Sequence, residues 1–430
     1  MRSVLEKLQA LEQSKLTRYA VKLVLTALTL LILAWPHFRR PASLFISGKE
    51  PYHHLITGPV SMVLSFLNHY TGADIVLLSN ILPMVLGVLT MLLFYNLLRK
   101  YGLDYSLVLI STAALIISPS FIFLFGTLNT YAFTAFIFLL TLNLFTEKRE
   151  VLGVMMIYLV PFFGPISAIL ALLLLLVYSL KNERFRLFLA ALPSAAILYF
   201  APVGILPAYN NVAISDFGGH YGLGLFTILL SFFGLRQLWE KKYKYLFIYI
   251  TVVFVGAFFF LDVRVLSYLN FLLAALTALG LVRLAKMEWK SGLIKQLTIL
   301  VMIYGLIFSG LSYINFTSKD LPNEEVLDMI RHLQTLPGGR VFSEASREYW
   351  VEYSGHMFVA DQALLHSTKI EDAMMLIESK KVNYLWIDEE MKENIWGGEE
   401  KELLFLLEYS KNFKKNKIND YVTLWEVVEE

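Results

Sequence analysis

The sequence predicts a polytopic α-helical membrane protein of about eleven transmembrane segments, ending in a small α/β domain. Three observations predict it. Of 430 residues, 57% are hydrophobic and the mean hydropathy is +0.59, whereas a soluble domain is about 45–50% apolar. Apolar runs follow one another along most of the chain, and each run in lipid must close its own backbone hydrogen bonds as a helix. From about Phe316 the runs stop and charged residues return.

The apolar segments fall at Leu23–Ala34, Ile75–Leu98, Ser106–Leu124, Tyr131–Phe145, Leu152–Phe163, Ile166–Leu180, Leu187–Phe200, Tyr221–Leu235, Tyr245–Leu261, Val265–Leu284 and Leu297–Leu311. The first follows a polar stretch without a small-residue cleavage pattern, so it reads as a retained anchor. Alternate connectors carry the basic residues: Lys7, Lys15, Arg18 and Lys22; Arg99 and Lys100; Lys148 and Arg149; Lys181, Arg184 and Arg186; Arg236, Lys241, Lys242 and Lys244; Arg283, Lys286, Lys290 and Lys295. Short-loop Lys and Arg stay in the cytoplasm. The N-terminus is therefore expected inside and the C-terminal domain, residues 316–430, outside. Val151 to Leu180 is one apolar stretch broken by Pro161-Phe-Phe-Gly-Pro165. Its two flanks are both basic and should share a face, so it is expected to form a helical hairpin of two short spans, each about 22 Å long.

The C-terminal region shows Val326, Met329, Ile330 and Leu333 at helical spacing, closed by Pro337-Gly-Gly339, as an amphipathic helix requires. Ile370, Ala373, Met374 and Ile377 repeat the spacing, and Leu403 to Leu407 anchors a third helix. Arg340–Ser343, Met357–Ala360, Tyr384–Ile387 and Tyr421–Val428 read as strands. Alternation of this kind predicts a three-layer α/β domain. No glycine-rich phosphate loop follows a strand, so no nucleotide site is indicated.

The formal net charge is +2, with basic residues scattered, which argues against nucleic acid as a partner; the absence of cysteine excludes disulfides and thiolate chemistry. The unusual polar residues gather in the outer connectors. In the long first outer loop, residues 38–74, Glu50-Pro-Tyr-His-His54 places a carboxylate beside Tyr52, His53 and His54, which suits a general base, a metal ligand, or a wet interfacial loop. Pro59 to Tyr70 has apolar Val60, Val63, Leu64 and Leu67 on one face, fitting a helix that lies in the interface or one that continues into the next span. Asp216 is the lone carboxylate of another outer loop, softened by Gly218 and Gly219. Arg264 offers a fork of donors to a phosphate, or pairs locally with Asp262. His332, His356 and His366 have no metal-ligand spacing and read as surface residues. Asn315-Phe-Thr317 is a glycosylation sequon on the outer side.

Together these residues resemble the GT-C superfamily of membrane glycosyltransferases, most of all archaeal relatives of the oligosaccharyltransferase catalytic subunit. Glu50-Pro-Tyr-His-His-Leu55 is similar to the family's acidic first-loop motif, with His53 and Ile56 as departures. Ser118-Pro119 before a short outer turn, Ser215-Asp216 and Arg264-Val-Leu-Ser-Tyr-Leu269 also look like the family. So does Arg340-Val-Phe-Ser343 through Phe358-Val-Ala-Asp361, although Glu344-Ala-Ser-Arg-Glu348 stands in place of the acceptor-reading WWDYG motif. In the short outer turn Asn129 and Tyr131 stand where metal-binding acids are expected.

The resemblance implies sugar transfer from a polyprenyl-phosphate donor to a lipid or glycan acceptor at the outer membrane face. It implies Glu50 as general base, Arg264 as holder of the donor phosphate, and Tyr52, His53, His54, Asn129 and Asp216 as acceptor or positioning residues. It also implies a divalent cation, Mg or Mn, for which Glu50, Asp216 and Asn129 are the candidate ligands. Two alternatives stay open: a catalytically silent relative that binds polyprenyl lipid or scaffolds a complex, and a transporter. A transporter predicts inverted repeats and polar residues near mid-membrane, neither of which the sequence shows.

Overall fold

The computed structural model describes residues 15–40, 59–200, 214–217, 223–239, 252–253, 256, 259–260, 262–319 and 323–428. They divide into two compact units, parting after Lys319.

The described residues of the first unit are mainly helical, with one isolated bridge between Ile214 and Leu223. Helix α1 is Lys15–Arg39, α2 Pro59–Thr71, α3 Ile75–Lys100, α4 Tyr105–Ile116, α5 Pro119–Gly126 and α6 Thr130–Thr146. Then come α7 Glu150–Ile157, α8 Val160–Phe163, α9 Pro165–Lys181, α10 Phe185–Ala191, a 3₁₀ segment Leu192–Phe200, α11 Leu225–Trp239, α12 Leu266–Lys286 and α13 Gly292–Lys319. Among the described residues four helices, α1, α3, α12 and α13, are long and apolar enough to cross a bilayer, and α4 with α5 makes a fifth if that pair is one span. Together with its fold this marks an integral membrane protein. The count of about eleven is not confirmed: five further apolar helices run only 10–17 residues, and the expected segment Tyr245–Leu261 lies largely outside the described residues.

The expected single span Ser106–Leu124 is instead two helices, α4 and α5, bent by 61° at Ser118-Pro119. Pro119 has no N–H to give, so the ladder breaks there. The Ser118 hydroxyl covers the gap, donating to the Leu115 carbonyl at 2.6 Å and accepting from Asn270 Nδ2 of α12 at 2.6 Å. An irregular backbone at this depth is tolerable because protein surrounds it.

The stretch between residues 150 and 181 forms the expected reversal: α7 and α8 run one way, and α9 returns after Gly164. Glu150 and Arg184 form an ion pair across its two flanks. The same end holds Lys100 against Glu147 at 2.7 Å. Phe145 stacks on Tyr178 with centroids 5.1 Å apart, fastening α9 to α6. Helices α2 and α3 are separate, since Gly72 at φ 68° breaks the chain and Asp74 caps α3; α2 therefore does not continue into the next span. It buries Val60 and Leu64 and leaves Met62, Phe66 and Tyr70 exposed.

Helices α11 and α12 approach as closely as backbones allow. A Cβ on Gly280 would meet the Leu230 carbonyl oxygen at 1.9 Å, and one on Gly234 the Leu276 oxygen at 2.1 Å. Ser231 donates to the Leu273 carbonyl at 2.9 Å and Thr277 to that of Thr227 at 3.2 Å. Small residues with hydroxyl bonds across the seam are how helices associate in lipid, where burial of apolar surface gives no net drive.

The second unit is a mixed five-stranded sheet between helices. Helix α14 is Glu324–Thr335, followed by β1 Arg340–Phe342, α15 Glu348–Tyr353, β2 Met357–Val359, α16 Gln362–Leu365, α17 Ile370–Lys380 and β3 Tyr384–Asp388. Then come α18 Glu389–Trp396, α19 Leu403–Tyr409, β4 Phe413–Lys417 and β5 Val422–Val427. The strand order is β2-β1-β3-β5-β4, with β1 parallel to β2 and β3, and β5 antiparallel to β3 and β4. One face packs Phe342, Leu385, Ile387 and Trp425 under α17, α18 and α19; the other packs Val341, Tyr384, Trp386 and Leu424 under α14 and α15. This is the three-layer arrangement expected. The unforeseen strand, β4, reads Phe-Lys-Lys-Asn-Lys; it lies at the sheet edge, where lysines discourage further pairing and hide the alternation that marks a strand.

One histidine expectation needs revision, that for His356, while His366 is at the surface as expected. His356 is 5% exposed, not a surface residue; its Nδ1 lies 3.2 Å from Ser354 Oγ and its ring meets Tyr384 edge-on. His366 is exposed and lies 2.8 Å from Glu402. Asn315 is helical, within α13, and its side-chain oxygen accepts from Arg39.

Candidate active site

Three helix starts converge on one polar cluster. Arg264 sits in a 3₁₀ turn, Val263–Val265, that opens α12. Asp262 precedes it and is 2% exposed. Asp262 Oδ1 accepts from the backbone N–H of Arg264 and from its Nε, both at 3.0 Å. Oδ2 accepts from Arg264 Nη2 at 3.0 Å and from the Tyr131 hydroxyl, at the start of α6, at 2.7 Å. The guanidinium carbon lies 4.8 Å from the centroid of the Tyr131 ring, within range of a cation–π contact. One turn along α12, the Tyr268 hydroxyl lies 2.9 Å from Ser167 Oγ at the start of α9, and its ring is 6.1 Å from that of Tyr131.

This is the local Asp262–Arg264 pair that the sequence allowed, with an unexpected third member. A two-pronged carboxylate–guanidinium bond fixes the plane of the arginine fork, and the ring face of Tyr131 backs it.

The other expected site residues separate. Glu50, Tyr52, His53 and His54 lie outside the described residues. Asn129, 3% exposed, caps α6: its Oδ1 accepts from the Ala132 N–H at 2.8 Å. Its Nδ2 donates to the carbonyls of Phe123, Leu124 and Thr127 at 3.3, 3.1 and 3.1 Å. It braces the turn between α5 and α6. Asp216 lies exposed in a 3₁₀ turn, Ser215–Phe217, and its Oδ2 accepts from the Leu225 N–H at 2.6 Å, which caps α11. Among the described residues it has no hydrogen bond or ion pair with Arg264. No group of three or more His, Asp, Glu or Cys suited to a metal occurs among the described residues.

Within the C-terminal unit, the segment Glu344–Glu348 holds a 3₁₀ turn, Ala345–Arg347, just past β1. Arg347 is 6% exposed and donates through Nε to Asp388 at 2.7 Å and through Nη2 to Glu390 at 2.6 Å. Burial works against its charge, but the two carboxylates beside it hold its pKa above the usual arginine range. Burial, with Asp388 and Glu390, pushes the Tyr421 phenol up to about 12. Sequence reasoning missed this cluster. The available signal was Asp388, a charge closing the apolar strand Tyr384-Leu-Trp-Ile387.

Apolar helices long enough to cross a membrane, followed along the chain by a small α/β unit, define the class of the fold. Within that class the chain has the fold of the archaeal oligosaccharyltransferase catalytic subunit. The oligosaccharyltransferase AglB of Archaeoglobus fulgidus, solved with an inhibitory peptide and a dolichol-phosphate, aligns at TM-score 0.58 and 13% identity over 94% of this chain and 74% of that one. The same organism's enzyme tethered to an acceptor peptide containing the NVT sequon aligns at 0.55 and 13% over 95% and 74%. Its complex with Zn and sulfate aligns at 0.57 and 13% over 92% and 72%. No family model matches the chain, and no curated protein matches it by sequence.

Proposed function

We propose that the protein transfers a sugar from a polyprenyl-phosphate donor to a lipid or glycan acceptor at the outer membrane face. The observation that carries this reading is the fixed Arg264 guanidinium, held by Asp262 at 3.0 Å and backed by Tyr131, in a fold shared with archaeal oligosaccharyltransferase. The acceptor hydroxyl gives its proton to the Glu50 carboxylate as its oxygen bonds to the anomeric carbon. The bond from that carbon to the phosphate oxygen breaks, and Arg264 takes up the charge that grows on the departing phosphate.

A lipid or glycan acceptor is favoured over a sequon peptide by residues 344–348. Where the resemblance expects WWDYG, the chain has a turn whose arginine is tied inward to Asp388 and Glu390. The basic connectors support a cytoplasmic N-terminus and an outer C-terminal domain. Purified full-length protein given radiolabelled polyprenyl-phosphate sugars and lipid acceptors should form a labelled product, and Glu50→Gln should cut the rate at least about a hundredfold, as loss of a general base does. Undiminished transfer by Glu50→Gln would remove Glu50 from the mechanism.

A further inference from the structure

Away from the Asp262 cluster, a second group of cations gathers at the end of the membrane helices that carries the basic connectors. Helices α1, α3 and α4 pack against one another there, and Tyr95 of α3 is buried among them. Lys22 of α1 places its Nζ 5.3 Å from the centroid of the Tyr95 ring and donates to Asn96 Oδ1 at 3.1 Å. Arg18, one turn earlier on α1, and Arg99, one turn later on α3, both act on Tyr95 electrostatically. The Arg99 guanidinium carbon lies 5.5 Å from the centroid of the Tyr105 ring, at the start of α4.

Other cations at this end have partners of their own: Lys100 is matched by Glu147 at 2.7 Å, and Arg184 by Glu150. Arg18 and Lys22 differ. Among the described residues neither forms an ion pair with a carboxylate, and Arg18 Nε is buried without a hydrogen-bond partner. Residues four apart on a helix face the same way, and like charges so placed repel. A buried donor left unmade costs more than one bond gains. An anion held by both side chains would remove both costs.

What borders this place is lipid. Tyr19, Leu23 and Val24, beside Arg18 and Lys22 on α1, are 72%, 73% and 64% exposed, and α1 is long and apolar enough to cross a bilayer. Leucine and valine next to a cation pair suit acyl chains below a charged headgroup, and tyrosine is favoured at the headgroup level.

We infer that Arg18 and Lys22 bind the phosphate of an anionic phospholipid headgroup. Arg99 adds positive charge nearby but is not an open donor, since it has a further interaction. The site lies apart from Arg264 and does not rest on the sugar-transfer reading.

The test uses purified full-length protein, delipidated in a neutral detergent and titrated with phosphatidylglycerol or phosphatidylcholine, with bound lipid counted by native mass spectrometry. Phosphatidylglycerol should bind about tenfold or more tighter, and the Arg18→Gln, Lys22→Gln double variant should lose that preference, each missing charge weakening binding about fivefold. Arg149→Gln, a cation of the same end beside Glu147, should change it by less than about twofold. An equal loss in Arg149→Gln would mark a diffuse attraction of all the basic connectors and overturn the inference. Displacement of phosphatidylglycerol by excess inorganic phosphate would give the cluster to a free anion and overturn the lipid assignment. A preference absent from the full chain but present once Glu6 and Glu12 are changed to Gln would give the cluster to residues 1–14, with the same consequence. Where the double variant fails to fold, the unaltered protein decides: its melting temperature should be higher in phosphatidylglycerol than in phosphatidylcholine nanodiscs, and equal values would overturn the inference.

Discussion

The Tyr131 hydroxyl reaches across 131 residues of sequence to donate to Asp262 at 2.7 Å. That bond ties the start of α6 to the start of α12, and Asp262 passes the constraint to Arg264 through two further bonds of 3.0 Å. The orientation of the guanidinium is thus set by a residue on a distant helix.

Breaking this cluster from one side should be costly. Asp262→Asn removes the carboxylate that accepts from the Arg264 guanidinium; a fully buried pair broken in this way loses about 3–5 kcal/mol. Arg264 retains 22% exposure, which puts the expected loss at or below the lower end. Tyr131→Phe removes one hydrogen bond and should cost about 1 kcal/mol. The Asp262→Asn, Arg264→Gln double variant should lose less than the sum of the two single losses. Thermal unfolding in detergent measures the cycle, and additivity within about 0.5 kcal/mol would show the pair to be uncoupled.

The hairpin of α7 to α9 predicts a labelling pattern. The chain has no cysteine of its own, so single cysteines report without background. Arg149→Cys and Asn182→Cys, on the flanks joined by Glu150 and Arg184, should react with an impermeant maleimide from the same, cytoplasmic, side. Phe217→Cys should react from the other side. Reaction of Arg149→Cys and Asn182→Cys from opposite sides would replace the hairpin with a single span.

Gly280→Ala and Gly234→Ala should each loosen the membrane unit. The added methyl would lie 1.9 or 2.1 Å from a carbonyl oxygen of the facing helix, and backbone cannot yield as a side chain can. Overpacking of this kind costs about 1–3 kcal/mol. A fall in melting temperature that Gly338→Ala, whose Cβ position meets no described atom within 4 Å, does not share would confirm the close crossing.

Alkaline pH should destabilise the C-terminal unit through Tyr421. Its phenol is pushed up to about 12 by burial and by Asp388 and Glu390, against an ordinary value of about 10. Above pH 10 the unfolded chain releases this proton first, so the folded state holds more protons and stability falls as pH rises from 10 toward 12. Below pH 10 the contribution is constant. Tyr421→Phe should remove that part of the slope, seen as a flatter dependence of thermal unfolding on pH between 9 and about 11.5. An unchanged slope would assign the alkaline loss to other groups.

Helix periodicity carried much of the fold. Val326, Met329, Ile330 and Leu333 face the sheet as their spacing requires, and the basic flanks of residues 150 and 181 anticipated the hairpin that Glu150 and Arg184 close. Lys414, Lys415 and Lys417 concealed β4, since an edge strand needs charge more than alternation. His356 looked like a surface residue because one imidazole in a polar stretch carries no sign of the tyrosine that covers it.

Composition and spacing alone determined that the chain is mostly helical and membrane-embedded, that an α/β unit follows the membrane helices, and which charged residues stand out at helix ends. These follow from local rules: backbone satisfaction in lipid and side-chain periodicity act within a few residues. Only the tertiary structure decided what those residues do. It spends Asn129 and Asp216 on helix caps, joins Tyr131 to Asp262, and turns Arg347 inward to Asp388. Hydrogen-bond partners drawn from distant helices are set by how the helices pack, and no local pattern encodes them.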